Sequence, residues 1–213
     1  MAHAAARNHE LDHELDHEDV MQPPRDCEPG AGVYNAKLGM WVFLGSEIMF
    51  FTALIGAYII LRVAHPSSFK APGEVLAVSI TAVNTFLLIC SSVTMVKAFA
   101  SVQDGNLAGL RKWLVATVII GASFVGIQAY EYHHLIEKGF VPSEGLYGST
   151  FYTMTGFHGF HVTVGVICLM FVTLRAFQGR YTAKDHRGVE VVGLYWHFVD
   201  LVWIILFTIV YLI

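Results

Sequence analysis

From Lys37 onward the chain alternates long apolar runs with short polar breaks. The runs cover about 38–61, 75–99, 113–132, 150–177 and 189–213. Each approaches or exceeds the ~20 residues that carry a helix across ~30 Å of hydrocarbon. None shows the short alternating segments of a membrane-spanning strand barrel. The breaks carry turn chemistry: His65-Pro66-Ser67-Ser68, Ala71-Pro72-Gly73, Gln103-Asp104-Gly105-Asn106, Val141-Pro142-Ser143-Glu144-Gly145 and Gln178-Gly179-Arg180. The pattern predicts an all-α bundle of five transmembrane helices over 37–213, with no soluble domain between spans.

Residues 1–36 differ in kind. They hold eight acids and two arginines, a balance of −6, whereas the remaining 177 residues come to +2. The segment has no apolar stretch of signal-peptide type, and its composition predicts a flexible acidic tail. Its HELDHELDHED run would align His9, His13 and His17 on one face of a helix, a weak transition-metal site at most. Lys and Arg set the orientation. Ten lie in or beside the tail, the second break and the fourth break, against three on the other side. The positive-inside rule then places the N-terminus in the cytoplasm and the C-terminus outside.

Composition agrees with a bilayer protein: 55% of residues are hydrophobic and 14% charged. No basic patch points to nucleic acid. Cys27, Cys90 and Cys168 are isolated and form no metal-ligand spacing. No phosphate loop, dinucleotide fingerprint or nucleophile–base motif is present.

The chemistry to be explained is polar and intramembrane. Glu47 lies about ten residues into the first span, hence ~15 Å deep. An ionised carboxylate there is costly. The position calls either for a protonated acid bonded to a neighbouring helix or for a proton-handling carboxyl. His158 and His161 share one helix face in the fourth span, and His197 and Asp200 share one in the fifth. Glu131 closes the third span within Gln128-Ala129-Tyr130-Glu131-Tyr132-His133-His134. From the residues alone these groups fit a haem or metal site, or inter-helix hydrogen bonds. Arg175, Arg180, Lys184 and Arg187 follow the fourth span, where anionic headgroups are natural partners. Tryptophans near span ends read as interface anchors.

Four segments carry a resemblance: KLGMWVFLGSEIMFF, QAYEYHHLIEKGF, YGSTFYTMTGFHGFHVTVG and YWHFVDLVWIILFTIVYLI. Together they make residues 37–213 similar to subunit III of the haem-copper terminal oxidases. The resemblance implies a non-catalytic chain that binds no haem, copper or other metal. It implies a direct partner in the catalytic subunit I, contact with subunit II and other subunits, and bound phospholipid. The haem and copper would sit in subunit I. The expected place is the bacterial cytoplasmic membrane, in aerobic electron transport to oxygen.

Residue by residue, Glu47 matches the family's buried carbodiimide-reactive carboxyl. Glu131, His158, His161, His197 and Asp200 match signature positions with an internal structural role. Arg175 and Arg180 fall near lipid-headgroup positions. Longer members have seven spans and a lipid-filled cleft; five are present here. The Ser46-Glu47 pair resembles oxidases fed by cytochrome c more than those fed by quinol. A quinol oxidase subunit, a nitric-oxide-reductase-associated relative and a stand-alone proton or metal transporter are the alternatives.

Overall fold

The computed structural model describes residues 34–69, 78–143 and 145–212. The histidine-bearing tail, Cys27, the Ala71-Pro72-Gly73 break and the first residues of the second span lie outside the described residues.

Among the described residues there are five long helices: α1 Asn35–Ala64, α2 Val78–Gln103, α3 Leu107–Glu137, α4 Leu146–Phe177 and α5 Arg187–Phe207. A single 3-10 turn, Pro66–Ser68, follows α1, and a π-helical turn, Thr208–Leu212, continues α5. All five helices are long and apolar enough to cross a membrane. They overrun the apolar runs by a turn or more at several ends. In lipid a backbone amide must be bonded internally, so helices persist past the last apolar residue into the headgroup region. The α2–α3 turn shows how a break is made. Gly105 takes φ +74°, and the Asn106 side chain then caps α3 by accepting from Gly109 N at 2.9 Å.

Gly39–Ile213 forms one compact unit. Within it α2, α3, α4 and α5 form a closed ring: α2 packs on α3 and α5, α3 on α4, and α4 on α5. Helix α1 lies outside that ring. It buries only Phe51 and Tyr58 and meets α4 and α5 through side chains, among them Phe50 against Phe157 and Phe51 against Phe198.

Two tryptophans of α5 fill the ring. Trp196 and Trp203 are each 1% exposed, so neither is an interface anchor. Trp196 Nε1 donates to Ser91 Oγ at 3.0 Å and Trp203 Nε1 donates to Thr85 Oγ1 at 2.9 Å, stitching α5 to α2 at two levels. The Trp196 ring enters between α3 and α4 because Gly121 and Gly165 present no side chain there. Of the remaining tryptophans, Trp41 is exposed near the start of α1, as an interface anchor would be.

Candidate functional site: an intramembrane network of acids and histidines

The sequence-predicted polar residues do not converge. They form three separate clusters and one isolated histidine.

The first cluster joins α1 to α4. Glu47 Oε2 lies 3.0 Å from His161 Nε2, and the two side chains are only 17% and 12% exposed. His161 Nδ1 lies 2.7 Å from the Phe157 carbonyl oxygen. A carbonyl only accepts, so Nδ1 carries a hydrogen. The Nε2···Oε2 contact therefore holds a single proton, whichever partner owns it. In either state the pair is neutral overall, which is what makes a carboxyl tolerable at this depth. Glu47 thus has the neighbouring-helix partner that its position called for. His161 also orders α5, since its backbone oxygen accepts from Tyr195 OH at 3.0 Å.

His158 shares α4 with His161 but does something different. It is fully buried, and its ring stacks on Trp203 with centroids 4.8 Å apart and planes 25° apart. Phe124 and Phe51 meet it edge-on. Neither ring nitrogen has a hydrogen-bond partner among the described residues.

The second cluster lies between α2 and α5. Ser92 Oγ and His197 Nδ1 share a 2.6 Å hydrogen bond. Asp200 is 4% exposed, and among the described residues its Oδ1 has no hydrogen-bond partner. His197 and Asp200 lie three residues apart on α5, and Ser92 is the group that His197 meets.

The third cluster sits near the C-terminal end of α3. Glu131, 6% exposed, accepts at Oε1 from Thr81 Oγ1 at 3.0 Å and Tyr211 OH at 3.2 Å. One carboxyl thereby ties α2 and the last turn of the chain to α3. Beside it, Tyr132 OH donates to Thr155 Oγ1 at 2.7 Å and Gln128 Nε2 to the Thr155 carbonyl at 3.2 Å, tying α3 to α4.

These partners could have been found. Thr81, Asn84, Thr85, Ser91 and Ser92 recur at helical spacing along α2, a polar stripe in an apolar span that only neighbouring helices could satisfy. Arg175 and Arg180 lie at the exposed end of α4, the former with its guanidinium 4.9 Å from the Phe171 ring centroid. Close by, Arg111 Nε donates to the Ala176 carbonyl at 3.0 Å and so caps α4.

A haem or metal reading of the histidines does not fit this geometry. Among the described residues no three His, Cys, Asp or Glu side chains are grouped to hold a metal. His158 is walled by three aromatic rings, and His161 is committed to Glu47. The described polar groups are linked mainly by inter-helix hydrogen bonds, one of them the carboxyl–imidazole bridge between α1 and α4.

Comparison with known proteins gives the family. The family "Cytochrome c oxidase subunit III" matches residues 31–213. The chain is 41% identical over 177 residues to the probable cytochrome c oxidase subunit 3 of Mycobacterium leprae, covering 83% of this chain and 87% of that protein. It is 38% identical over 176 residues to the cytochrome c oxidase subunit 3 of Thermostichus vulcanus, covering 82% and 86%. It is 42% identical over 175 residues to that of Synechocystis, covering 82% and 74%. With a family match over most of its length and relatives near 40% identity, the chain belongs to the cytochrome c oxidase subunit III family.

Proposed function

We propose that this chain is the non-catalytic third subunit of a bacterial cytochrome c oxidase, seated in the cytoplasmic membrane against the catalytic subunit I. In that role it stabilises the haem- and copper-bearing partner through turnover, holds phospholipid at Arg175 and Arg180, and supports proton uptake. The N-terminus faces the cytoplasm in this reading, as the distribution of Lys and Arg requires. The carrying observation is the way the polar side chains are used. Glu131, His161 and His197 each bond another helix, which supports a scaffolding use of these groups.

A stand-alone transporter is disfavoured, because such folds use broken helices near the midplane and α1 to α5 run unbroken. The test is to purify the oxidase with and without this chain and follow oxygen consumption over successive turnovers. Faster loss of activity without the chain is expected. Equal decay in both preparations would overturn the stabilising role.

A further inference from the structure

Two lysines from neighbouring helices converge on one indole. Lys97 Nζ of α2 lies 4.6 Å from the Trp113 ring centroid, and Lys112 Nζ of α3 lies 5.5 Å from it. The two charges are therefore no farther apart than the sum of those distances. Both lysines are exposed and Trp113 is half-buried. Lys97 stands inside an apolar run, about 9 Å short of the end of α2. Its stem covers apolar surface while its ammonium seeks a polar level. It finds Trp113, the first residue of the next apolar run, at the border of hydrocarbon and headgroups where tryptophan prefers to sit.

Two cations repel each other there, and an indole face holds an exposed ammonium only weakly. Among the described residues neither lysine has a carboxylate within ion-pair reach, and Asp104 in the adjoining turn pairs with neither. The arrangement calls for an anion shared by both. Arg111, one residue before Lys112, turns instead to α4 and caps it through the Ala176 carbonyl, so the lysine pair is distinct from Arg175 and Arg180.

The surface beside the pair is apolar. On α2, Val93 and Phe86 precede Lys97 by four and eleven residues, and on α3 Ile119 follows Lys112 by seven. These spacings keep each on its lysine's face, and the three are 53%, 64% and 60% exposed. An anion carrying an acyl chain uses both the charges and this strip, whereas free phosphate uses only the charges. Basic pockets between transmembrane helices on the cytoplasmic side are of the kind that take anionic headgroups.

We propose that the α2–α3 seam holds an anionic phospholipid, its phosphate shared by Lys97 and Lys112 beside Trp113 and an acyl chain laid along Val93, Phe86 and Ile119. This is a second lipid site, and it rests on the proposed function only for being placed in the cytoplasmic leaflet.

The test uses the full chain in phosphatidylcholine vesicles, carrying Trp41→Phe throughout. Trp113 is then the one tryptophan near lipid, since Trp196 and Trp203 are buried in the ring. Phospholipid with brominated acyl chains quenches a tryptophan it touches. Brominated phosphatidylglycerol should quench Trp113 more strongly than brominated phosphatidylcholine at equal mole fraction, with about fivefold in binding preference from each lysine. Lys97→Gln with Lys112→Gln should abolish the preference, and Lys97→Arg with Lys112→Arg should retain it. Salt of about 1 M should shrink it in the chain with both lysines, because the screening length falls to about 3 Å. Inorganic phosphate at matched ionic strength should leave it unchanged. A preference that persists in the glutamine pair, that is lost in the arginine pair, that resists salt or that yields to free phosphate would overturn the proposal. The vesicles hold this chain alone with the lipid in both leaflets, so the result is independent of the oxidase assignment and of the topology.

Discussion

Replacing Gly121 by Ala puts the way Trp196 fills the ring to its hardest test. A Cβ at Gly121 would lie 2.6 Å from Trp196 Cη2, 3.0 Å from Cζ2 and 3.1 Å from Val166 Cγ2. The indole cannot retreat. On its other side a Cβ at Gly165 would already lie 3.0 Å from Cε3 and Cζ3, so the α4 backbone is close, and Nε1 is tethered to Ser91. Relief requires moving α3 or giving up the indole bond. Overpacking of this kind costs about 1–3 kcal/mol, and a lost buried hydrogen bond adds about 1 kcal/mol. The expected destabilisation is about 3 kcal/mol, roughly a hundredfold in the folded-to-unfolded ratio.

The assay is reversible denaturation in detergent micelles, read by tryptophan fluorescence, with Gly56→Ala as control. Gly56 has nothing within 4 Å of an added Cβ and should change stability little. Trp196→Phe in the Gly121→Ala background should recover part of the loss, since the smaller ring relieves the overlap. Equal stabilities for Gly121→Ala and Gly56→Ala would refute the reasoning.

Other expectations follow from the same geometry. Glu47→Gln should abolish labelling of this chain by a hydrophobic carbodiimide, because Glu47 lies between the outer helix and the ring while Glu131 and Asp200 are inside it; persistent labelling on peptide mapping would assign the reaction to another carboxyl. Asp200→Ala should lower the yield of assembled complex on native gels, since it removes a buried side chain and leaves a cavity in the ring; normal yield would contradict this. Burial, the largest effect, raises Tyr181 above the ordinary phenol range against the opposing pull of Arg175. The folded chain therefore holds that proton more tightly than the unfolded chain. Its contribution to stability is full below the unfolded pKa and fades as pH rises through the folded one. Tyr181→Phe should flatten the alkaline arm of the stability profile, and an unchanged arm would contradict this.

The five spans were legible because each is an unbroken apolar run, and a bilayer leaves helices as the only open-ended solution. Their ends were less so. Helix α3 starts at Leu107 and ends at Glu137, well outside the 113–132 run, because polar residues such as Arg111 and His134 are as content in a helical turn at the interface as in a loop. Residues sharing a face could be read from spacing, and His197 does meet a partner on α2. Which partner could not, since Ser92 lies 105 residues from His197 and Glu47 lies 114 from His161. The same limit explains His158 and His161. Three residues apart on α4, they diverge by enough to put one ring under Trp203 and the other on α1.

The most direct test of the subunit assignment is to tag this chain, purify it in mild detergent and record a reduced-minus-oxidised visible spectrum with an inventory of co-purifying chains. An a-type haem signal travelling with a large partner subunit is the expected result. A colourless chain arriving without such a partner would contradict it.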